Sequence, residues 1–98
     1  MDDKIPPIHP GEHLLEDFLK PMGISPYELA SSITVPPHWI VEILQGKRPI
    51  TAEMAIRLGR YFGMEYQFWI NLQNRYDLDL AMDALAGRLE VEVLPLAA

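Results

Sequence analysis

The chain has 98 residues, of which 49% are hydrophobic, a length that allows one compact domain and excludes two independent cores. It has no cysteine, which excludes a disulfide framework, a thiolate metal site and a cysteine nucleophile, and no apolar run of the roughly 18 residues that a membrane span requires. The net charge of −6 excludes nucleic-acid binding through bulk charge, so contact with DNA requires locally focused basic residues.

The N-terminal segment combines a predicted extended arm with a motif typical of metalloenzymes. Residues 1–8 contain two prolines and no periodicity, which predicts the arm. His9, Glu12 and His13 follow in the H-x-x-E-H order of an inverted zinc-protease motif. Pro10 disfavours the α region for His9, however, so His9 is expected to precede the helix while Glu12 and His13 lie in its first turn. We therefore interpret His9 as a cap or packing residue and expect no metal site and no catalytic residues.

Three helices are predicted in the first half of the chain. Apolar positions recur at helical spacing from residue 10 to residue 22, which indicates helix one. Helix two is predicted at about residues 26–32 and helix three at about residues 36–45, each with a proline in its first turn. Two short helices joined by three or four residues, with Ile33 and Val35 as apolar pins, are the arrangement of a helix-turn-helix.

Two further helices are predicted in the second half. Thr51 caps helix four, which ends at Gly63, and helix five begins near Glu65. Helix five is expected to bury an aromatic face made of Phe68, Trp69, Leu72 and Tyr76. Its other side chains are expected at the surface or in a dimer interface, namely Asn71, Gln73, Asn74 and Arg75.

The C-terminal segment alternates apolar and acidic residues from Leu89 to Leu94, which predicts a half-buried strand. A lone strand leaves its backbone unpaired, so a partner strand is required. The same strand of a second copy is the favoured partner, and the alternatives are the N-terminal arm near residues 5–8 or the sheet edge of another protein. The predicted dimer surface consists of Leu78, Met82, Leu85, Leu89, Val91 and Val93.

The segments "HPGE", "GKRPIT", "RLGRYFG" and "FWINLQNRYDL" give the chain, over roughly residues 8–80, a resemblance to the HigA/VapI-type antitoxins, a branch of the Xre-type helix-turn-helix proteins. The resemblance implies an all-α, five-helix lambda-repressor-like domain over residues 9–87, between the arm (1–8) and the strand and tail (88–98). It further implies a homodimer that binds a RelE-like toxin and represses their shared promoter through a palindromic operator in double-stranded DNA. The lack of a membrane span, and of a basic region followed by an apolar stretch at the N-terminus, predicts a cytoplasmic protein. No enzymatic activity, cofactor, small-molecule substrate or membrane partner is implied.

Helix three is the recognition helix in this resemblance. The residues expected to read bases are Pro37, His38, Trp39, Glu42 and Gln45. The residues expected to bind phosphate are Ser25, Tyr27, Lys47 and Arg48. Helix three carries no arginine or lysine, so it lacks the side chains that read guanine most strongly.

Some of these residues have structural alternatives. Trp39 is alternatively a partly buried anchor against helix two, and Arg48 alternatively pairs with a carboxylate such as Glu53. Arg57 and Arg60 are assigned to ion pairs and solubility rather than to DNA.

Two alternative functions compete with that of an autorepressing antitoxin. One is a dimeric repressor without a toxin, which requires two half-sites about one helical turn, roughly 34–36 Å, apart. The other is a protein-binding module that keeps the fold but has lost base readout, a hypothesis suggested by the neutral-to-acidic recognition helix.

Overall fold

The computed structural model describes residues 6–97, which form six helices and no strand. The first, α1, joins an α-helical turn (Pro10–His13), a π-helical segment (Leu14–Leu19) and a final turn (Lys20–Met22). The others are α2 (Pro26–Ile33), α3 (Pro37–Leu44), α4 (Ala52–Phe62), α5 (Tyr66–Leu85) and α6 (Leu89–Glu92). The all-α class is confirmed. No helix within these residues is both long and apolar enough to cross a membrane.

Local capping chemistry fixes where the helices begin and end. The Ser25 hydroxyl accepts a hydrogen bond from the Glu28 N–H at 3.0 Å, and the Thr51 hydroxyl accepts one from the Met54 N–H at 3.2 Å. Gly63 ends α4 in the left-handed region at φ 68°, where glycine carries no steric penalty. The predicted starts of α2 and α4 are therefore confirmed. Both could be predicted because each cap is next to its helix in the sequence.

One hydrophobic core joins α1 to α5, with Trp69 of α5 fully buried. Ile33 and Val35, the predicted pins of the helix-turn-helix, are both buried in it. Phe68 is at the margin: it is 36% exposed, and its ring packs edge-on against Trp69 at 5.0 Å between centroids. Of the predicted aromatic face of α5, Trp69 is thus fully buried, Leu72 and Tyr76 are half-buried, and Phe68 is the most exposed.

Helix α1 lies directly against the last turn of α3. A Cβ atom built on Gly11 would overlap the carbonyl oxygen of Ile43 and lie 2.7 Å from its carbonyl carbon. This close approach of two backbones requires glycine, since neither backbone can move aside as a flexible side chain would. Gly11 therefore sets the position of α3 relative to α1.

The C-terminal segment differs from its prediction. Leu89–Glu92 forms the short helix α6, so the predicted strand is wrong, and so is the count of five helices. Within the single chain a strand would leave both edges unpaired, whereas in the helical turn the Glu92 N–H donates to the Arg88 carbonyl at 2.9 Å. The Arg88 guanidinium also donates to the Glu92 carboxylate at 2.9 Å.

Beyond residue 73 the chain leaves the core, and none of residues 74–97 is buried. The six predicted dimer residues all lie in this part. Five are exposed, by 57% at Leu78, 62% at Met82, 48% at Leu89, 78% at Val91 and 61% at Val93, and Leu85 is half-buried. We call these six side chains the C-terminal apolar surface.

Candidate nucleic-acid interface

Helices α2 and α3 pack against each other across a short turn, as a helix-turn-helix requires. The Val35 N–H donates to the Ala30 carbonyl at 3.0 Å and closes the end of α2. Thr34 in the turn has φ 60° and ψ 55°, and it is the only non-glycine residue with positive φ among residues 6–97. The turn is therefore fixed by a backbone hydrogen bond, two buried pins and one left-handed residue.

Burial divides α3 into an inner and an outer side. Ile40 and Ile43 are fully buried. The five residues predicted to read bases all lie away from the core or at its margin, with Pro37, His38 and Gln45 exposed and Trp39 and Glu42 half-buried. The structure thus brings the predicted base-reading residues together on one accessible helix face.

The half-buried residues of that face belong to a cluster with Arg48, which follows the helix. Arg48 Nε donates to Glu42 Oε1 at 2.8 Å, and its guanidinium carbon lies 5.1 Å from the centroid of the Trp39 ring. The suggested pairing of Arg48 with a carboxylate is confirmed, but its partner is Glu42 and not Glu53, which accepts from Arg57 at 3.0 Å. We call Trp39, Glu42 and Arg48 the arginine cluster.

Trp39 has a structural role in the arginine cluster. It is half-buried and packs against the core, while its ring also supports the Arg48 guanidinium. The Glu42 carboxylate balances that cation, so the arginine cluster adds no net charge to the face of α3. The side of α3 that is predicted to read bases therefore has little positive potential of its own.

The residues predicted to bind phosphate surround α3. Tyr27 is 65% exposed near the start of α2, and the Ser25 hydroxyl is already occupied as the helix cap. Lys47 is exposed and makes no ion pair within residues 6–97. Lys47 is thus a cation next to α3 whose charge no carboxylate of the described residues balances through an ion pair.

A buried glutamine, Gln73, holds the loop that carries Lys47 and Arg48. Gln73 is 7% exposed, and its Oε1 accepts from the Ile50 N–H at 2.7 Å. Its amide nitrogen donates to Asp77 Oδ1 at 2.9 Å. The prediction of Gln73 as a surface residue is wrong, although its position four residues after Trp69 places it on the core side of α5. That spacing was the signal in the sequence that could have found it.

The H-x-x-E-H motif is a helix start in the structure. His9 Nδ1 accepts from the Gly11 N–H at 2.9 Å, and its ring packs edge-on against Tyr76 at 4.9 Å. Burial lowers the pKa of the His9 imidazole, and the Asp77 carboxylate opposes this shift, so the ring nitrogen remains an acceptor at neutral pH. His13 instead pairs with Asp17 at 3.1 Å. The interpretation of His9 as a cap is confirmed, and within the described residues no three His, Asp or Glu side chains converge as metal ligands.

Comparisons with known proteins give a consistent result. The chain is 51% identical to virulence-associated protein I of Dichelobacter nodosus over 79 residues, which cover 81% of this chain and 73% of that protein. It is 36% identical to antitoxin HigA-1 of Vibrio cholerae over 72 residues, covering 74% and 68% of the two chains. The solved structure of the Pseudomonas aeruginosa antitoxin HigA with the higBA promoter superposes with a TM-score of 0.88 at 46% identity, covering 93% of this chain and 99% of that one.

The chain belongs to the HigA/VapI-type antitoxins of the Xre-type helix-turn-helix family. No protein-family model matches it. This HigA-type chain is not an enzyme, since its relatives are antitoxins and helix-turn-helix regulators. In this fold the pair α2 and α3 is the helix-turn-helix, and α3 is its recognition helix.

Proposed function

We propose that the chain is the antitoxin of a HigBA-type module: as a homodimer it neutralises a RelE-like ribonuclease toxin and represses its own operon by binding a palindromic operator. The observation that supports DNA binding most strongly is the likeness, over 93% of the chain, to a HigA antitoxin solved with promoter DNA. The accessible outer face of α3 supports the same proposal independently. The net charge of −6 suits a basic toxin partner.

Base readout is assigned to the outer face of α3, with Pro37 at its first turn. His38 and Gln45 donate to acceptor edges in the major groove, and Trp39 contacts a thymine methyl group. Glu42 accepts from a cytosine amino group with Oε2, since Oε1 is already bonded to Arg48. The arginine cluster thereby presents the Glu42 carboxylate in a fixed position.

Phosphate binding is assigned to Lys47 and Arg48, with Ser25 and Tyr27 at the start of α2 on the neighbouring backbone. We expect Lys47→Ala and Arg48→Ala each to weaken binding to all DNA sequences and to lower the salt slope of the affinity by about one unit. Fluorescence anisotropy over a range of salt concentrations measures this. Arg88→Ala is the matched control because Arg88 lies in the C-terminal region, paired with Glu92. A variant with an unchanged slope removes that residue from the phosphate contacts.

Dimerisation is assigned to the C-terminal apolar surface, because a monomer rarely exposes so many large apolar side chains in one segment of its chain. Met82→Lys is expected to shift the protein towards monomer, since it places a charge in the interface, and sedimentation velocity measures the shift. Ile56→Lys is the control, because Ile56 is 56% exposed on α4, outside that surface. Equal sedimentation of the wild-type and Met82→Lys proteins as dimers would refute this assignment.

The chain's own charge pattern favours a second candidate, a protein-interaction module with weakened DNA binding. Helix α3 has no cation, and the arginine that follows it is neutralised by Glu42. Operator footprinting separates the two candidates: a protected palindrome with half-sites about one helical turn apart supports the repressor. Binding that is equal for operator and unrelated DNA supports the module.

A further inference from the structure

A second group of cations lies beside the turn of the helix-turn-helix. Ser32, Ile33, Thr34, Arg57, Arg60 and Tyr61 line a surface cleft of about 450 Å³ between the end of α2 and the second half of α4. Arg57 is held in place there, because its guanidinium donates to the Ile33 carbonyl at 2.8 Å and to the Glu53 carboxylate at 3.0 Å. The cleft therefore has one rigid basic wall.

Arg60 is the unbalanced charge of this cleft. Lys20, Arg48, Arg57, Arg75 and Arg88 each make an ion pair with a carboxylate. Among residues 6–97 only Lys47 and Arg60 make none, although the chain carries an excess of acidic residues. A guanidinium left unpaired in an acidic protein, at the edge of a concave site, is available for an anion from outside the chain.

Thr34 adds a second, independent feature. Threonine is β-branched and rarely adopts a positive φ, yet Thr34 has φ 60° where glycine would be unstrained. Its hydroxyl and that of Ser32 make no hydrogen bond within the described residues. A strained residue that brings an unused hydroxyl to a basic cleft is typical of a binding site.

We propose that this cleft binds a phosphate group. The cleft offers more hydrogen-bond donors than the two oxygens of a carboxylate can accept in good geometry. These donors are the guanidinium of Arg60, the remaining N–H groups of Arg57, and the hydroxyls of Ser32, Thr34 and Tyr61. A phosphate group has more acceptor oxygens and more charge, and guanidinium groups bind it in bidentate geometry. The phosphate is either free or part of a DNA backbone that passes the turn; only the second source rests on the proposed function.

The test is a titration of the full chain with inorganic phosphate at constant ionic strength, followed by two-dimensional NMR of the backbone amides. Saturable shifts confined to residues 32–34 and 57–61 are expected. In Arg60→Gln the affinity should fall about tenfold, the loss of one charge-assisted hydrogen bond. Arg75→Gln, which removes an exposed arginine that pairs with Asp79 on α5 outside the cleft, should leave the affinity unchanged. Absent shifts, shifts spread over all basic residues, or equal affinity in Arg60→Gln would overturn the proposal.

Thr34 variants separate binding from folding. Thr34→Gly removes the hydroxyl and adopts the same φ without strain, so its melting temperature should not fall while phosphate binding weakens. Thr34→Ser restores the hydroxyl and should restore binding. Equal phosphate affinity in Thr34→Gly and wild type would remove Thr34 from the site. Acetate that binds as tightly as phosphate would indicate a carboxylate site and overturn the phosphate assignment.

The salt slope of operator binding identifies the source of the phosphate. If the group belongs to DNA, Arg60→Gln lowers the slope by about one unit. If the slope is unchanged while the phosphate titration is lost, the cleft binds a free phosphate. A chain that binds phosphate but no operator would contradict the proposed function and leave this site intact.

Discussion

Replacing Gly11 with alanine is expected to lower the free energy of unfolding by about 3 kcal/mol, the upper range of overpacking effects, because the new methyl group meets backbone rather than a flexible side chain. The obstacle is the carbonyl of Ile43, in the last turn of the recognition helix. Urea denaturation followed by circular dichroism measures the loss. We also expect operator affinity to fall, since α3 must move away from α1 to admit the methyl group.

Gly23→Ala is the matched glycine control. Gly23 has φ 67°, and a Cβ atom there would meet nothing within 4 Å, so only the backbone strain remains. The expected cost is about 1 kcal/mol, that of an alanine in the left-handed region. A loss for Gly11→Ala no larger than that for Gly23→Ala would contradict the backbone contact between α1 and α3.

Gln73→Leu is expected to destabilise the chain by about 2 kcal/mol, because the buried Ile50 N–H loses its acceptor. The Ile50 N–H donates to Gln73 at 2.7 Å, and this bond anchors the loop after α3 that carries Lys47 and Arg48. Operator binding should therefore weaken even at temperatures where the variant is folded. Thermal denaturation and anisotropy measure the two effects separately.

The control for this substitution is Gln67→Leu on the same helix. Gln67 is exposed, and among residues 6–97 its side chain bonds to Asn71 alone, at 2.9 Å, so its replacement should change stability by less than about 0.5 kcal/mol. If Gln67→Leu and Gln73→Leu both have the melting temperature of the wild type, the buried hydrogen bond of Gln73 contributes nothing measurable to stability. In that case the loop is held by packing alone.

Much of the fold could be predicted because its determinants are local. Ser25 and Thr51 cap helices that begin at the next residue, and Gly63 ends α4, all within a few positions of the pattern that reveals them. The strand prediction for the C-terminal segment was wrong because the local pattern there is too short to decide. Its period-two pattern spans only residues 89–94, and such a short run does not decide between a strand and a helical turn when no partner strand is present.

The sequence predicts which face of α3 is exposed, but it does not predict the side-chain contacts on that face. Burial of Ile40 and Ile43 follows from helical periodicity, and it fixes the outer face of α3. The bond between Glu42 and Arg48 spans six residues and a loop, and its geometry depends on how that loop turns back over Trp39. No spacing rule predicts such a contact, so the charge balance of the recognition face emerges only from the structure.

The central claim is that the chain neutralises a ribonuclease toxin. Co-expression with the RelE-like protein that the proposed function places in the same operon tests it most directly. Growth arrest caused by that protein should be relieved by this chain, and the two should elute together in size-exclusion chromatography. The Lys47→Ala variant should relieve the arrest equally well, because Lys47 is assigned to DNA binding alone. Persistent growth arrest in the presence of the folded chain, with the two proteins eluting separately, would contradict the claim.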